Sequence, residues 1–218
     1  MRQLILELLP EAPPSLENFV AGGNGEALTG LARWLSPENR EPSVFLWGDC
    51  GAGKSHLLRA SGAVYHDAEN DPELAAARAA EPFHAVDNVH ALNPEGQIAL
   101  FNLFNRLRAR GGRLLTAANL PPLQLALRED LRTRLGSGLI YRLHPLTDDE
   151  QMAALRAQAE ARGLRLTTEG LTYLVSRAPR DMRSLSALLA ALDRYSLEHK
   201  RPITVPLLRE VLQAAPEA

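Results

Sequence analysis

A glycine-rich stretch in the first quarter of the chain has the residue types and spacing of a phosphate-binding loop. The run from Gly48 to Ser55 matches the pattern G-x-x-x-x-G-K-[ST] at every position. An apolar, β-prone segment, 43–47, precedes it and a helical pattern follows Ser55, which is the strand–loop–helix context that the pattern requires. Main-chain N–H groups in such a loop and at the start of its helix bind phosphate oxygens. Lys54 is expected to reach the β- and γ-phosphates, and the Ser55 hydroxyl to bind Mg²⁺. The predicted nucleotide-binding residues are Gly48, Asp49, Cys50, Gly51, Ala52, Gly53, Lys54 and Ser55.

Three further polar positions lie at the ends of predicted strands. Asp87 ends the apolar segment 83–87, which we expect to lie beside the phosphate-loop strand, where a carboxylate holds Mg²⁺ through water. The next residue is Asn88, whose amide accepts no proton at neutral pH, so slow hydrolysis by this protein alone is expected. Asn119 ends another predicted strand and could contact a γ-phosphate or hold the attacking water.

An aromatic–apolar pair, Phe19 and Val20, lies one predicted helix upstream of the phosphate-loop strand. Two interpretations are open. The pair could form a wall that faces the adenine ring, or it could serve only in ordinary packing.

Composition limits the classes of protein to which the chain can belong. Its 218 residues, 45% of them hydrophobic, suit one α/β domain with a small appendage. No apolar run reaches the length of a membrane span. The single cysteine, Cys50, suits a reducing cytoplasm, and a net charge of −2 argues against binding nucleic acid by charge alone.

Hydrophobic periodicity changes in type near Pro145. Upstream, strand patterns at 43–48, 63–66, 83–88, 113–119 and 139–143 alternate with helical patterns, which predicts a parallel five-stranded sheet flanked by helices. Downstream, only helical patterns occur, at 148–162, 168–177, 179–198 and 206–214. We therefore expect an extended arm at 1–14, a nucleotide-binding domain at 15–146 and a small helical domain at 147–218. Within the first domain, the helix 94–110 is expected to bury a face formed by Ile98, Phe101, Phe104 (or Asn105) and Leu107.

The arm contains alternating leucines. Leu4, Leu6 and Leu8 would share one face of an extended segment that begins at Gln3. The segment could be an edge strand of its own domain or a peptide that inserts its leucines into a partner's pocket. The residues alone favour neither.

Together these motifs resemble the layout of the AAA+ ATPases. Segment 16–22 resembles the start of the ATPase domain of the bacterial initiator DnaA, segment 130–138 its arginine-finger box, and segment 180–185 its sensor-2 helix. Segment 3–8 resembles the Q-L-x-L-x-L peptide that binds sliding clamps. No DNA-binding region is expected after its helical part, and as a whole the chain resembles the Hda family, DnaA-related AAA+ proteins that inactivate the initiator.

The resemblance implies a cofactor and roles for individual residues. ADP or ATP with Mg²⁺ would occupy the loop, with Asp87 assisting the metal. Asn119 would act as sensor 1, and Arg183 as sensor 2 on the nucleotide phosphates. Arg134 would be the finger presented in trans to the initiator's ATP, with Arg132 as the competing candidate. From the residues alone, the arginines at 128, 132 and 134 could equally form a solvated helix face.

The resemblance also implies partners. Gln3, Leu4, Leu6 and Leu8 would bind the β-subunit sliding clamp of DNA polymerase III, although Ile5 and Glu7 depart from the usual peptide. The second partner would be DnaA itself. Sequence-specific DNA binding and membrane binding are not expected, whereas homo-oligomerisation is plausible. The alternative function is an autonomous ATPase of the helicase-loader or clamp-loader type.

Overall fold

The computed structural model describes residues 13–77, 81–164, 166–177, 182–199 and 208. The chain divides into two compact units, one of residues 13–145 and one that contains the described residues from 146 onward. The two are described in turn.

The first unit is built on a parallel sheet of five strands in the order β2-β3-β4-β1-β5. This arrangement confirms the predicted α/β class and the predicted number of strands. The strands are β1 (Ser43–Gly48), β2 (Val64–Asp67), β3 (Phe83–Asp87), β4 (Arg113–Ala118) and β5 (Leu139–Leu143).

The expected position of β3 beside the phosphate-loop strand β1 is wrong. β4 lies between them, pairing with β1 from Ser43↔Leu114 to Trp47↔Ala118 and with β3 on its other side. A strand pattern reports burial and does not report which parallel neighbour the crossover selects. Asp87 is therefore one strand further from the phosphate loop than expected, and Asn119 takes the adjacent position.

Helices cover both faces of the sheet because the side chains of β1 alternate between them. Val44 and Leu46 pack with α1 (Gly25–Leu35) and α2 (Lys54–Ala60). Phe45 packs on the opposite face with α3 (Pro94–Ala109) and α4 (Glu129–Leu135). All three β1 residues are fully buried. This two-sided burial explains why β1 is a continuous apolar run.

The buried face of α3 differs from the expected one. Phe104 and Leu107 are buried as predicted, but Leu100 and Leu103 complete the face, and Ile98 is 46% exposed. Leu100, Leu103, Phe104 and Leu107 follow the helical repeat, whereas positions 98 and 101 fall outside this stripe. The apolar stripe is therefore rotated relative to the prediction, which leaves Phe101 half-buried at its margin.

The second unit is helical. It contains α5 (Asp148–Ala161), α6 (Thr168–Arg177) and α7 (Met182–His199) around a leucine core. Thr147 caps the start of α5: its Oγ1 accepts the Glu150 N–H at 3.2 Å, and Glu150 accepts the Thr147 N–H at 2.8 Å. The predicted helix 206–214 lies outside the described residues except for Leu208, which is buried in the core. No helix in the described ranges is long and apolar enough to cross a membrane.

Candidate functional site

The loop between β1 and α2 has backbone angles that glycine supplies. Gly51 and Gly53 adopt φ of +79° and +89°, in the left-handed region that other residues rarely enter. A Cβ on Gly48 would collide with the carbonyl oxygen of Leu143 on β5. The glycines therefore let the chain turn tightly from strand to helix while leaving N–H groups free to face a bound group.

Lys54 starts α2 and is held against this loop. Its Nζ donates to the carbonyl oxygens of Gly48 and Asp49, both at 2.8 Å. Burial lowers the pKa of Lys54, and the negative charge of Asp87 is the largest of the charges that oppose this shift. The ammonium thus sits inside the curl of the loop, within reach of any anion that the loop binds.

The remaining loop residues differ in exposure. Asp49 and Cys50 are exposed, Ala52 is buried, and Ser55 is half-buried in the first turn of α2. The Cys50 thiol is free.

Phe19 lies on the phosphate loop. A Cβ on Gly53 would come within 2.6 Å of its Cε2, so glycine at 53 makes room for the ring. The His56 ring lies 5.5 Å from the Phe19 ring, and its Nε2 donates to the Ser15 carbonyl oxygen at 2.9 Å. Segment 15–19 is therefore fastened to α2, and Val20 follows it half-buried.

Asp87 is fully buried at the carboxyl end of β3. Its Oδ2 accepts the Tyr65 hydroxyl at 2.9 Å and its Oδ1 accepts the Asn88 N–H at 3.0 Å. The Arg59 guanidinium lies 4.4 Å from the centroid of the Tyr65 ring and donates to the Tyr65 oxygen at 3.0 Å. Burial, followed by the charge of Asp87 and the hydrogen bond to it, raises the pKa of Tyr65. Sequence reasoning missed Tyr65 and Arg59, because only the β2–β3 pairing brings them to Asp87.

Asn88, the residue after the carboxylate, has a left-handed backbone with φ 53° and ψ 41°. Its Nδ2 donates to Asp67 Oδ1 on β2 at 3.0 Å. Asparagine tolerates this conformation better than most residues because its short polar side chain bonds locally. The amide at 88 is thus used to join β2 to β3 and carries no proton-accepting group.

Asn119 immediately follows β4 and is exposed. The pair Trp47↔Ala118 is the last of β1 and β4, so Asn119 comes level with Gly48 at the start of the phosphate loop. Its side chain makes no hydrogen bond to another described residue, which leaves it available to a bound group at this edge of the sheet.

Three arginines on or next to α4 differ in their partners. Arg128 forms an exposed ion pair with Asp130 at 2.8 Å. Arg132 donates to the Leu123 carbonyl oxygen at 3.4 Å. Arg134 is half-buried, and its guanidinium lies 6.0 Å from the centroid of the Phe101 ring on α3. Among the described residues neither Arg132 nor Arg134 is paired with a carboxylate, so both keep an uncompensated charge.

The predicted sensor-2 residue and the predicted clamp-binding residues lie at or beyond the limits of the described structure. Arg183 is the second residue of α7, and nothing is described of its side chain. The predicted clamp-binding residues Gln3, Leu4, Leu6 and Leu8 lie outside the described residues.

The residues at the carboxyl edge of the sheet fit a nucleoside phosphate with Mg²⁺. The fit rests on a loop that turns on glycines of positive φ, a buried ammonium at Lys54, a hydroxyl at Ser55 and a buried carboxylate at Asp87. No cluster of three or more metal-ligating side chains was found in the described part of the chain. Mg²⁺ at nucleotide sites takes one or two protein oxygens and completes its shell with phosphates and water.

A separate cavity of about 590 Å³ lies at the opposite, amino-terminal edge of the sheet. Residues that precede β1, β3 and β4 line it, including Pro42, Pro82 and Gly112. It contains no residue of the phosphate loop. The site of interest is therefore an open edge of the sheet and is distinct from this cavity.

Comparison of the sequence with known proteins identifies relatives. A family model described as "Hda, lid domain" matches residues 148–212. An uncharacterized protein of Haemophilus influenzae is 33% identical over 228 residues, which cover 97% of this chain and 98% of that protein.

Comparison of the fold with solved structures identifies similar domains. Domain III of the Thermotoga maritima replication initiation protein DnaA superposes with a TM-score of 0.72 at 21% identity, covering 94% of this chain and 98% of that one. A DnaA bound to AMPPCP and single-stranded DNA gives a TM-score of 0.67 at 22% identity, over 89% and 69% of the two chains. The Thermotoga maritima RuvB branch migration motor gives 0.66 at 17% identity, over 92% and 72%. These likenesses confirm the AAA+ fold, with the helical lid in the C-terminal region. Taken with the relatives found by sequence, they show that the chain belongs to the Hda-like family of DnaA-related AAA+ proteins.

Proposed function

We propose that this protein is a negative regulator of replication initiation that supplies an arginine finger to ATP bound by the initiator DnaA. Residues 3–8 would dock it on the DNA-loaded β-subunit sliding clamp. Arg134 would then be placed in trans at the γ-phosphate of the initiator's ATP. There a guanidinium neutralises charge that develops on the transferred phosphoryl group and so promotes hydrolysis.

The observation that carries the proposal is that the three arginines, at 128, 132 and 134, have different partners. Arg128 is already neutralised by Asp130, whereas Arg134 lies against the face of Phe101 and has no carboxylate partner among the described residues. A ring face orients a guanidinium without cancelling its charge or using its N–H groups. Arg134 therefore combines a fixed position with donors that remain available to a phosphate. Arg132 uses a donor on Leu123, which makes it the weaker candidate.

In this proposal the chain's own nucleotide, ADP or ATP with Mg²⁺, has a mainly structural role. Gly48 to Ser55 would hold its phosphates, Asp87 would assist the metal, and Phe19 and Val20 would lie near the base. Asn119 and Arg183 would contact the phosphates from the sheet edge and from the lid helix. The fold likeness to a DnaA bound to AMPPCP supports an adenine nucleotide. Asn88 supports slow turnover, because no carboxylate follows Asp87 to accept a proton from water.

The test is hydrolysis of ATP pre-bound to the cognate initiator, with clamp loaded on DNA, in the presence of wild type or of single variants. Arg134→Ala should reduce the stimulation about tenfold or more, since arginines supplied in trans contribute on the order of 10³–10⁵ in GTPases. Arg128→Ala is the matched control on the same segment and should act like wild type. Arg132→Ala tests the competing finger candidate and should keep most of the stimulation if Arg134 is the finger.

Three results would contradict parts of the proposal. Stimulation that survives Arg134→Ala but is lost in Arg132→Ala would move the finger to Arg132. Stimulation that survives both changes would make the protein an adaptor without a finger. Absence of stimulation together with rapid hydrolysis of ATP by the protein alone would favour the loader-type ATPase.

A further inference from the structure

The carboxylate of Asp87 is held by groups that the phosphate-loop motif does not include. Tyr65 lies opposite Ala85 in the β2–β3 register, and Asp87 is two residues beyond Ala85 on the same face of the sheet. The small side chain of Ala85 leaves the tyrosine ring free to lean along the strands, so that its hydroxyl reaches Oδ2 of Asp87 at 2.9 Å. The main-chain N–H of Asn88 takes the other oxygen at 3.0 Å. With one donor on each oxygen, both the position and the plane of the carboxylate are fixed.

A second contact holds the tyrosine itself. Arg59, in the last turn of α2, covers the Tyr65 ring at 4.4 Å and donates to its oxygen at 3.0 Å. Because α2 begins with Lys54 and Ser55, the same helix that carries the phosphate-binding residues also carries the residue that orients Tyr65. Asp87 is thus connected to α2 through two side chains.

A second carboxylate, Asp67, lies beside Asp87. Asp67 pairs with Asp87 in the register and lies on the same face. Its oxygens accept from the Glu69 N–H and Asn70 Nδ2, which follow β2, and from Asn88 Nδ2, which follows β3, at 2.9–3.1 Å. Asn88 thus donates its side-chain N–H to Asp67 and its main-chain N–H to Asp87, whereas the Tyr65 hydroxyl donates to Asp87.

We propose that Tyr65, supported by Arg59, is a positioning residue: it holds the Asp87 carboxylate in the orientation that binds the Mg²⁺ accompanying the nucleotide. This inference rests on the proposed binding of a nucleotide and Mg²⁺ at the loop. A carboxylate oxygen accepts more than one hydrogen bond, so the phenol and the hydration shell of the metal can share Asp87. Outer-shell partners of this kind orient metal-binding groups and contribute to metal affinity.

The experiment measures how much Mg²⁺ tightens the binding of ADP. The Kd of ADP is determined with millimolar Mg²⁺ and with EDTA, and the ratio of the two values is compared among variants. Tyr65→Phe should reduce the ratio roughly threefold to tenfold, near the lower end of outer-shell effects, while the Kd in EDTA stays the same. Arg59→Met should reduce the ratio less, and should add nothing in the Tyr65→Phe background, because it acts through the phenol.

Tyr141→Phe is the matched control. Tyr141 lies on β5, the other edge strand of the sheet, and its hydroxyl is directed at Gly30 of α1. This variant should leave the ratio unchanged. A ratio that is unchanged in Tyr65→Phe but lost in Asp87→Asn would overturn the role of Tyr65 and leave the Mg²⁺ site intact. Equal weakening of both Kd values in Tyr65→Phe would show a packing role only and would also overturn the inference. If the wild type does not bind ADP, or if Asp87→Asn leaves the ratio unchanged, the proposed site for nucleotide and Mg²⁺ is wrong and this inference is wrong with it.

Discussion

At the scale of single residues, two glycines of the phosphate loop allow backbone strain to be separated from steric contact. Both have positive φ, but a Cβ at Gly51 would meet no atom within 4 Å, whereas a Cβ at Gly53 would press on Phe19. Gly51→Ala should lower the free energy of unfolding by about 1–2 kcal/mol, the cost of a left-handed alanine. Gly53→Ala should cost about 1–3 kcal/mol more, because the Phe19 ring must also move. Urea denaturation measures both values.

A double-mutant cycle identifies the source of the difference. In a Phe19→Ala background the two glycine variants should become nearly equal in cost, since the only contact that distinguishes them is gone. Equal costs in the wild-type background would contradict the placement of Phe19 on the loop.

Residue identity and spacing were enough to predict some of these features and not others. The segment Gly48–Ser55 is contiguous, and its geometry depends on its own glycines, so the loop could be predicted locally. The choice among the arginines of α4 could not, because the Phe101 ring that supports Arg134 comes from α3, about thirty residues earlier in the chain. Tyr65 was missed for the same reason.

At the scale of elements, β2 and β3 are joined by a buried histidine pair on the face opposite Tyr65. His66 Nε2 and His84 Nδ1 share a hydrogen bond of 3.0 Å, and the two rings stack at 5.3 Å with an interplanar angle of 15°. Burial first, and then the neighbouring His84, lowers the pKa of His66, while the nearby Asp71 opposes this shift. In the folded protein His66 is therefore protonated only at a lower pH than in the unfolded chain, where a histidine is half-protonated near pH 6.5.

This difference predicts how stability depends on pH. The contribution of His66 is fully present above about pH 6.5 and is lost as the pH falls below it, because the unfolded state then binds more protons. The urea midpoint should fall between about pH 7.5 and about pH 5.5 more steeply in the wild type than in His66→Gln, which keeps a side-chain N–H and does not titrate there. His90→Gln, a change at an exposed histidine, is the control and should keep the wild-type slope. Identical slopes for His66→Gln and the wild type would contradict the prediction.

Element patterns gave the number and the direction of the strands but misplaced one neighbour. Each strand was visible as an apolar run between turn residues, since both faces of the sheet are covered. The insertion of β4 between β1 and β3 depends on how helices pack on the sheet, which no single run encodes. The helix α3 was located correctly, yet its buried stripe was rotated. The predicted residues 98, 101, 104 and 107 are spaced by three throughout, and such a set drifts around a helix of about 3.6 residues per turn, so Ile98 falls outside the buried stripe.

At the scale of the whole molecule, the proposed function needs two regions that act in different ways. The arm at residues 3–8 would raise the local concentration of the protein at the DNA-loaded clamp, whereas Arg134 would act in the chemical step. Tethering changes the concentration at which an effect is reached and adds nothing to its maximum. The two regions should therefore be separable by titration of the regulator against initiator-bound ATP.

Gln3→Ala should raise the regulator concentration that gives half-maximal stimulation, by about tenfold or more, and should leave the maximum unchanged. Arg134→Ala should instead lower the maximum without shifting that concentration, because clamp binding persists. Ile5→Val is the control in the arm, since it is a conservative change outside the Gln and Leu positions of the Q-L-x-L-x-L pattern, and it should resemble the wild type. Omitting the clamp should bring wild type and Gln3→Ala to the same curve, which ties the shift to tethering. A Gln3→Ala variant with a reduced maximum, or one that still differs from wild type without clamp, would mean that the arm takes part in the contact with the initiator itself.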